Sequence, residues 1–188
     1  MTLYTIGHGT RSTEELIAVL RSAGIQGVAD VRRQPGSRRH PHLGRDALTV
    51  DLAEAGISYG WWGEDLGGRR SRDPASRHPA WRVAAFQGYA DHMDTDEFRA
   101  AFTQLLVVAT AQRTAMMCSE TVWWRCHRRL LADAATLRGT QVVHLLSATN
   151  HGRHPLHPEV RAGGDGWPVY DGGQERLPGG PTQTDERH

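Results

Sequence analysis

The sequence predicts an α/β domain with three layers and a mainly parallel sheet of about five strands. Short apolar runs alternate with amphipathic stretches over residues 1–146, which is the pattern of repeated βαβ units. The 188 residues are 38% hydrophobic and 23% charged, the composition of a globular protein that buries a sizeable core. Glycine and proline become frequent after residue 146. We therefore expect an α/β domain over residues 1–146 and a tail over residues 147–188.

The first half of the domain is expected to contain three strands and two helices. Ser12 and Glu15 form a capping box, and an apolar stripe runs from it to Gly24, which predicts the first helix. Gly56 ends the second predicted helix, over residues 46–55. The three strands are expected over residues 3–6, 27–31 and 57–62.

The second half of the domain resumes the alternation after an irregular segment. Residues 63–93 show no regular period, and a connection of that length inside a compact domain is uncommon and usually functional. Asp94 and Glu97 then open a long amphipathic helix. The later elements are a strand over 114–117 that ends at Cys118, a helix over 126–138 and a strand over 141–146.

The tail has few large apolar side chains that could offset the entropy of ordering it. We expect residues 147–188 to be disordered or loosely packed against the domain. The tail contains His151, His154 and His157, which we interpret as scattered polar residues rather than as a metal site.

The charge balance excludes a protein that binds polyanions through net charge alone. The chain has 22 lysine and arginine residues against 21 acidic ones, for a net charge of +1, and all of the former are arginine. The guanidinium fork suits phosphate and carboxylate, so the positions of the arginines matter more than their number. No apolar run of ~18 residues and no leader pattern is present, so we expect a cytoplasmic protein without a membrane partner.

Reactive side chains follow the predicted strands, at the edge where ligands bind in parallel α/β sheets. Cys118 ends the fourth strand, and Cys126 and His127 lie at the start of the next helix. The positive end of that helix and the arginines near it favour a thiolate. We therefore predict a lowered pKa for Cys118 and a similar field at Cys126. The predicted catalytic residues are Cys118, Glu120, Cys126 and His127.

These residues predict a cysteine-dependent enzyme, a hydrolase or a transferase, that acts on a small anionic or nucleotide-like substrate. Cys118 is the expected nucleophile, and Glu120 or His127 is expected to move the proton. Arginines are expected to clamp the anion. The predicted substrate-binding residues are His8, Asp30, Arg32, Arg38, Arg39, Tyr89, Arg125 and Arg128. No cofactor or metal is included in this prediction.

Two other functions stay open at this point. Residues 32–45 and 69–82 are rich in arginine, and Trp61, Trp62, Trp81 and Tyr89 lie among them, which suits a module that binds or processes nucleic acid. Alternatively, Cys118, Cys126 and His127 are residue types that bind metal, although the two cysteines are farther apart in sequence than the close pairs of structural zinc sites.

A set of short motifs occurs in a fixed order along the domain. The motifs are Tyr4-Thr5-Ile6-Gly7-His8, Asp30-Val31-Arg32, Ser37-Arg38-Arg39, Leu66-Gly67-Gly68, Gly88-Tyr89-Ala90-Asp91, Cys118-Ser119-Glu120 and Cys126-His127-Arg128. Together they resemble the bacterial and archaeal domain-of-unknown-function 488 family, over about residues 3–146. The resemblance implies a Rossmann-like α/β domain and a site at Cys118, Glu120, Cys126, His127 and Arg128.

The layout is also loosely similar to that of rhodanese-like sulfurtransferases. Those domains share an Asp-Val-Arg strand end and a later strand that delivers a catalytic cysteine into an anion-binding loop. Here that loop contains Trp123 and Trp124, which are too bulky for a tight cradle of backbone amides. Sulfurtransferase activity is therefore not carried over from the layout alone.

Overall fold

The computed structural model describes residues 1–36 and 39–172, and its main feature is one six-stranded sheet. Its strands are β1 Thr2–Gly7, β2 Gly27–Asp30, β3 Ser58–Trp61, β4 Thr114–Cys118, β5 Gln141–Leu145 and β6 His151–Arg153. The spatial order is β3-β2-β4-β1-β5-β6. All neighbours pair in parallel except β5 and β6, which are antiparallel. The mainly parallel sheet is confirmed, with one strand more than the sequence predicted.

Helices cover both faces of the sheet and produce the three predicted layers. They are α1 Thr13–Ser22, α2 Arg45–Glu54, α3 Gly63–Leu66, α4 Ala84–His92, α5 Asp96–Ala111 and α6 Arg128–Leu137. The capping box of Ser12 and Glu15 is present at the start of α1, with both of its hydrogen bonds formed. Two 3-10 turns, Pro41–Leu43 and Trp123–Arg125, lie in the connections.

The core has two parts because successive strand residues face opposite sides of the sheet. Met116 and Met117 are adjacent in β4 and belong to different apolar clusters. Helices α1 and α2 pack on the Met117 side through Leu16, Leu20, Leu48 and Leu52. Helices α5 and α6 pack on the Met116 side through Phe98, Phe102, Leu130 and Leu131.

The irregular segment 63–93 contains two helices that the sequence did not reveal, α3 and α4. Helix α4 buries just one turn, at Gly88, Tyr89 and Ala90, so it lacks an apolar stripe that periodicity could detect. Gly88 touches the preceding segment: a Cβ there would lie 2.5 Å from the carbonyl oxygen of Arg70. Close backbone approach therefore holds this connection against the domain.

The segment 147–172 packs against the domain, unlike the loose packing expected for the tail. Strand β6 extends the sheet, and β7 Val160–Ala162 pairs with β8 Pro168–Tyr170 in a hairpin. The segment buries Trp167 and Tyr170 in the core cluster of α5 and α6. Each aromatic ring buries a large apolar area, so these two side chains are enough to hold the segment. The average composition of the whole tail did not reveal this. Residues 173–188 lie outside the described residues.

A buried carboxylate also holds this segment. Asp133 of α6 accepts hydrogen bonds from His154 Nε2, the His157 backbone N–H and the Tyr170 hydroxyl, each at 2.9 Å. All three donors belong to residues 147–172, so the segment satisfies a charge that would otherwise be buried alone.

In the described part of the chain, none of the helices combines the length and the apolar character needed to cross a lipid bilayer.

Candidate active site

Two cysteines and one histidine meet at the carboxyl edge of the sheet. Cys118 is the last residue of β4, and Cys126 and His127 precede α6. Nδ1 of His127 lies 3.6 Å from Sγ of Cys126 and 3.9 Å from Sγ of Cys118. All three atoms lie within 4.8 Å of one another. The loop between strand and helix thus folds back and places both sulfurs around one imidazole.

One hydrogen bond of His127 determines its tautomer, and therefore which ring nitrogen presents a lone pair to the thiols. Its Nε2 lies 3.1 Å from the carbonyl oxygen of Val31. A carbonyl oxygen can only accept, so Nε2 carries the proton and Nδ1 of the neutral ring is an acceptor. Nδ1 can therefore take a proton from either thiol and return it to a leaving group.

Cys126 is the thiol that ionises first. Burial opposes its ionisation, but the neighbouring Cys118 thiol and the charge and hydrogen bonds of Arg128 lower the pKa of Cys126 to about 6. The Arg128 guanidinium donates to its sulfur through Nε at 3.5 Å. At neutral pH Cys126 is mostly a thiolate.

The expectation of a lowered pKa at Cys118 is wrong. The neighbouring Cys126 sulfur, together with burial, raises the pKa of Cys118 to about 12. The reason is position: the Arg128 guanidinium and the first amide of α6 both act on Cys126. The end of a strand brings no such charge to Cys118.

Arg128 is buried behind the thiols and does not line the cavity in front of them. One of its terminal nitrogens donates to the carbonyl oxygen of Glu120. A Cβ at Gly7 would collide with that carbonyl at 1.9 Å and with the guanidinium at 2.8 Å, so the first strand must end in glycine. Arg128 therefore acts on Cys126 and the loop rather than on a bound anion.

Asp30, Arg32 and His8 form a buried network beside the cavity. Arg32 forms an ion pair with Asp30 at 2.5 Å and donates to His8 Nε2 at 3.0 Å and to the carbonyl of Leu43 at 2.8 Å. Tyr59 donates a further hydrogen bond to Asp30 at 2.6 Å. Most donors of Arg32 are thus used inside the protein, although its side chain reaches one wall of the cavity.

His8 is neutral in this network. Burial, together with the positive charge of Arg32, lowers the pKa of His8 to about 4. Its Nδ1 donates to the carbonyl of Gly9 at 2.9 Å, which leaves Nε2 to accept from Arg32.

The thiols lie at the base of a cavity of about 640 Å³. His8, Arg32, Tyr89, Cys118, Cys126 and His127 contribute to its inner wall. Its rim has three exposed arginines, Arg33, Arg69 and Arg125, and Glu120 is the one carboxylate among the described lining residues. The excess of positive charge favours an anionic ligand, and the volume is that of a small-molecule site.

Sequence reasoning missed two of these rim residues, Arg33 and Arg69. Arg33 directly follows the Asp30-Val31-Arg32 motif and donates to the backbone carbonyl of Arg69 at 2.9 Å. Arg69 lies in the arginine-rich stretch that suggested nucleic acid, and it has a positive φ of 60°. The arginine-rich stretch could have drawn attention to Arg69. However, it is far from Cys118 and Cys126 in sequence, so nothing indicated that Arg69 would lie at the same cavity.

The remaining predicted site residues differ in whether they line the cavity. Tyr89 lines the cavity but packs its ring 4.9 Å from that of His127, and its hydroxyl donates to the carbonyl of Leu66 at 2.8 Å. The exposed Glu120 contributes to the rim. Arg39 is exposed and is not among the lining residues, and Arg38 lies outside the described residues.

The aromatic residues among the arginine-rich stretches differ in exposure. Trp81 and Tyr89 are buried, and Arg77 is engaged with Asp94 at 2.5 Å. Trp61 and Trp62 are partly exposed, and the guanidinium carbon of Arg45 lies 4.7 Å from the centroid of the Trp61 ring.

Cys118, Cys126 and His127 are the residues of the described chain whose donor atoms are close enough to hold a metal ion. Arg128 Nε lies 3.5 Å from the Cys126 sulfur, however. A guanidinium therefore donates to that sulfur and places a positive charge beside it.

The fold and the site together define a Rossmann-like α/β domain with a pair of unequal thiols at the carboxyl edge of a parallel sheet. The chain belongs to the family described as Domain of unknown function DUF488, whose model matches residues 12–135. This match confirms the resemblance carried by the motifs. No curated protein and no solved structure matches the chain significantly.

Proposed function

We propose that this protein is a cysteine-dependent enzyme, a hydrolase or a transferase, acting on a small anionic or nucleotide-like substrate. The observation that carries the proposal is the contact of Arg128 Nε with Cys126 Sγ, at 3.5 Å, in the wall of a cavity with a cationic rim. A stable thiolate is the nucleophile that such chemistry needs.

The roles follow from the contacts. Arg33, Arg69 and Arg125 attract and orient the anionic group of the substrate. The Cys126 sulfur attacks the electrophilic atom and displaces the leaving group. The leaving group takes its proton from water. His127 Nδ1, at 3.6 Å from that sulfur, then accepts the proton of the water or acceptor molecule that displaces the covalent intermediate from Cys126.

The other predicted site residues have supporting roles in this proposal. Cys118 lies beside the thiolate and favours its ionisation, and Glu120 is a second candidate for proton transfer at the rim. His8, Asp30 and Arg32 keep the second strand end and the cavity wall in position.

Alkylation by iodoacetamide as a function of pH tests the proposal. We expect the wild-type rate to rise with a midpoint at pH about 6 and the label to lie on Cys126. Cys126→Ser should abolish that phase, whereas Cys118→Ser should retain fast labelling of Cys126. A midpoint at about 8.5, the ordinary thiol pKa, would remove the basis of the proposal.

The metal alternative is tested on the same preparation. Elemental analysis of protein purified without an affinity tag should show no stoichiometric metal, and a chelator should leave the alkylation rate unchanged. One bound metal per chain, with faster alkylation after its removal, would favour the metal-binding function instead.

A further inference from the structure

We propose that Cys118 and Cys126 work as a dithiol pair that reduces small anionic disulfides, with Cys126 as the attacking thiolate and Cys118 as the resolving thiol. This inference rests on the proposed function, because it uses the same thiolate, and it names the substrate class and the reaction. It is carried by the shared position of two sulfurs and one imidazole at the base of a single cationic cavity.

The first argument is distance. The two sulfurs lie within 4.8 Å of each other, and both line the cavity. Cys118 is held at the end of β4, where its carbonyl accepts from the His8 amide at 2.9 Å. Cys126 lies between a 3-10 turn and α6 in an extended conformation. Formation of a disulfide requires these sulfurs to approach to ~2.05 Å, by rotation of the Cys126 side chain or a shift of its loop.

The second argument is the unequal chemistry of the thiols. Of the two sulfurs, Arg128 contacts that of Cys126, which therefore attacks first. Cys118 stays protonated during this first step. His127 Nδ1 lies 3.9 Å from Cys118 Sγ and accepts its proton when the second attack begins. A reductive pair needs this division between one ionised and one protonated thiol.

The third argument concerns the intermediate. A resolving thiol attacks the sulfur of the nucleophilic cysteine, so the group on that sulfur must leave as a stable anion. A thiolate leaves readily in this way, whereas an acyl or alkyl carbon does not. A second thiol beside the nucleophile therefore points to a mixed disulfide, and to a disulfide as the substrate.

The reaction balances in two exchanges. The Cys126 thiolate attacks one sulfur of the substrate, forming a Cys126–substrate disulfide and releasing one thiolate product. Cys118 then gives its proton to His127 Nδ1 and attacks Cys126 Sγ. The new Cys118–Cys126 bond expels the second product thiolate, which takes the proton from Nδ1. The substrate gains two electrons and the dithiol loses two; a small thiol in the surroundings restores the dithiol by the reverse exchanges.

The cavity determines which disulfides can react. The two cysteines are 6% and 4% exposed, so a bulky protein disulfide cannot reach them. Arg33, Arg69 and Arg125 at the rim favour substrates with carboxylate or phosphate groups. Small anionic disulfides satisfy both limits.

The test uses three disulfides of similar size and different charge on the full chain. They are bis(carboxymethyl) disulfide, bis(2-hydroxyethyl) disulfide and cystamine, which are anionic, neutral and cationic. Each rate is divided by the rate of the same disulfide with a free small thiol, which removes differences in intrinsic reactivity. Acid-quenched samples are then analysed by intact mass.

We expect wild-type protein to lose two hydrogen atoms, without a lasting adduct, because Cys118 resolves the mixed disulfide. The normalised rate should be about tenfold higher for the anionic than for the neutral probe at low salt, and this ratio should shrink as salt is added. Cys118→Ser should accumulate one adduct, on Cys126, because the variant has no second thiol to resolve it.

Two results would overturn the inference and leave the proposed function standing. One is a lasting adduct on wild-type Cys126, and the other is no reaction with any disulfide while iodoacetamide still labels Cys126 with a midpoint at pH about 6. Equal normalised rates for the three probes would refute the anionic substrate class. If iodoacetamide labelling of Cys126 also lacks the low midpoint, both ideas fail. The wild-type mass result stands even if the serine variant does not fold.

Discussion

At the scale of single residues, one buried guanidinium favours ionisation of Cys126 over Cys118. Arg128 Nε lies 3.5 Å from Cys126 Sγ, in a position with almost no access to water. At an effective dielectric constant of ~20, opposite charges about 4 Å apart gain roughly 4 kcal/mol, equivalent to about three pKa units. Burial is the largest single effect on this thiol, and the neighbouring Cys118 together with the charge and hydrogen bonds of Arg128 outweighs it. Their sum accounts for the reversal of the expected roles of Cys118 and Cys126.

Replacing Arg128 by glutamine should raise the pKa of Cys126 from about 6 towards the ordinary thiol value. At pH 7 the alkylation rate should fall about tenfold, because the thiolate fraction falls. Arg125→Gln is the matched control: it removes a cavity arginine that has no contact with the sulfur, and the alkylation midpoint should not move. Thermal unfolding of both variants checks that they fold. The same midpoint in wild type and Arg128→Gln would refute the role of this guanidinium.

At the scale of elements, the loop between β4 and α6 is positioned by the segment that follows β5. Trp123 in this loop stacks on His144 of β5, with ring centroids 4.2 Å apart. His144 Nε2 then contacts His154 Nδ1 at 3.0 Å, and His154 Nε2 donates to Asp133 at 2.9 Å. The buried chain links α6, β5 and residues 147–172 to the loop that contains Cys126. The packed part of the tail thus supports the site.

Asp133→Asn should destabilise the protein by about 3 kcal/mol, because an amide nitrogen would face a donor that now binds a carboxylate oxygen. Asp165→Asn is the control, since Asp165 is partly exposed and forms ion pairs with Arg99 and Arg77 at the surface. Its cost should stay below about 1 kcal/mol. Urea unfolding measures both. Similar losses in the two variants would contradict the importance of the buried chain.

At the scale of the whole molecule, two buried neutral histidines make stability depend on pH. Burial, with the charge of Arg32, lowers the pKa of His8 to about 4. Burial, with the nearby His154, lowers the pKa of His144 to about 3. The unfolded chain binds these protons near pH 6.5, so it holds more of them than the folded chain does at pH 5. Stability is therefore fully present above pH 6.5 and is lost as the pH falls towards 4.

His8→Gln tests this dependence, because the amide oxygen can still accept from Arg32 but does not titrate. Between pH 7 and pH 5 the variant should lose about 2 kcal/mol less stability than the wild type. His151→Gln is the control, since His151 is exposed in β6, and it should follow the wild type. Parallel pH profiles for wild type and His8→Gln, measured by urea unfolding, would show that His8 is not buried neutral.

Much of the fold could be predicted because its signals are local. Alternating apolar runs, the capping box of Ser12 and Glu15 and the glycines after helices each act within a few residues. The prediction failed where burial involves a single turn, as in α4, or a few aromatic rings, as with Trp167 and Tyr170. Such contacts do not produce a periodic pattern of apolar residues in the sequence.

The amino-acid sequence alone determined the parallel α/β architecture and the meeting of Cys118, Cys126 and His127 at one edge, because strand ends in such a sheet lie on the same side. Only the tertiary structure decided which sulfur is the thiolate, that Arg33 and Arg69 form the rim, and that Asp133 anchors the segment after β5. These outcomes depend on distances of a few ångströms between residues far apart in the chain. Electrostatic energies change steeply over that range of distances, and the spacing of residues along the sequence does not reveal those distances.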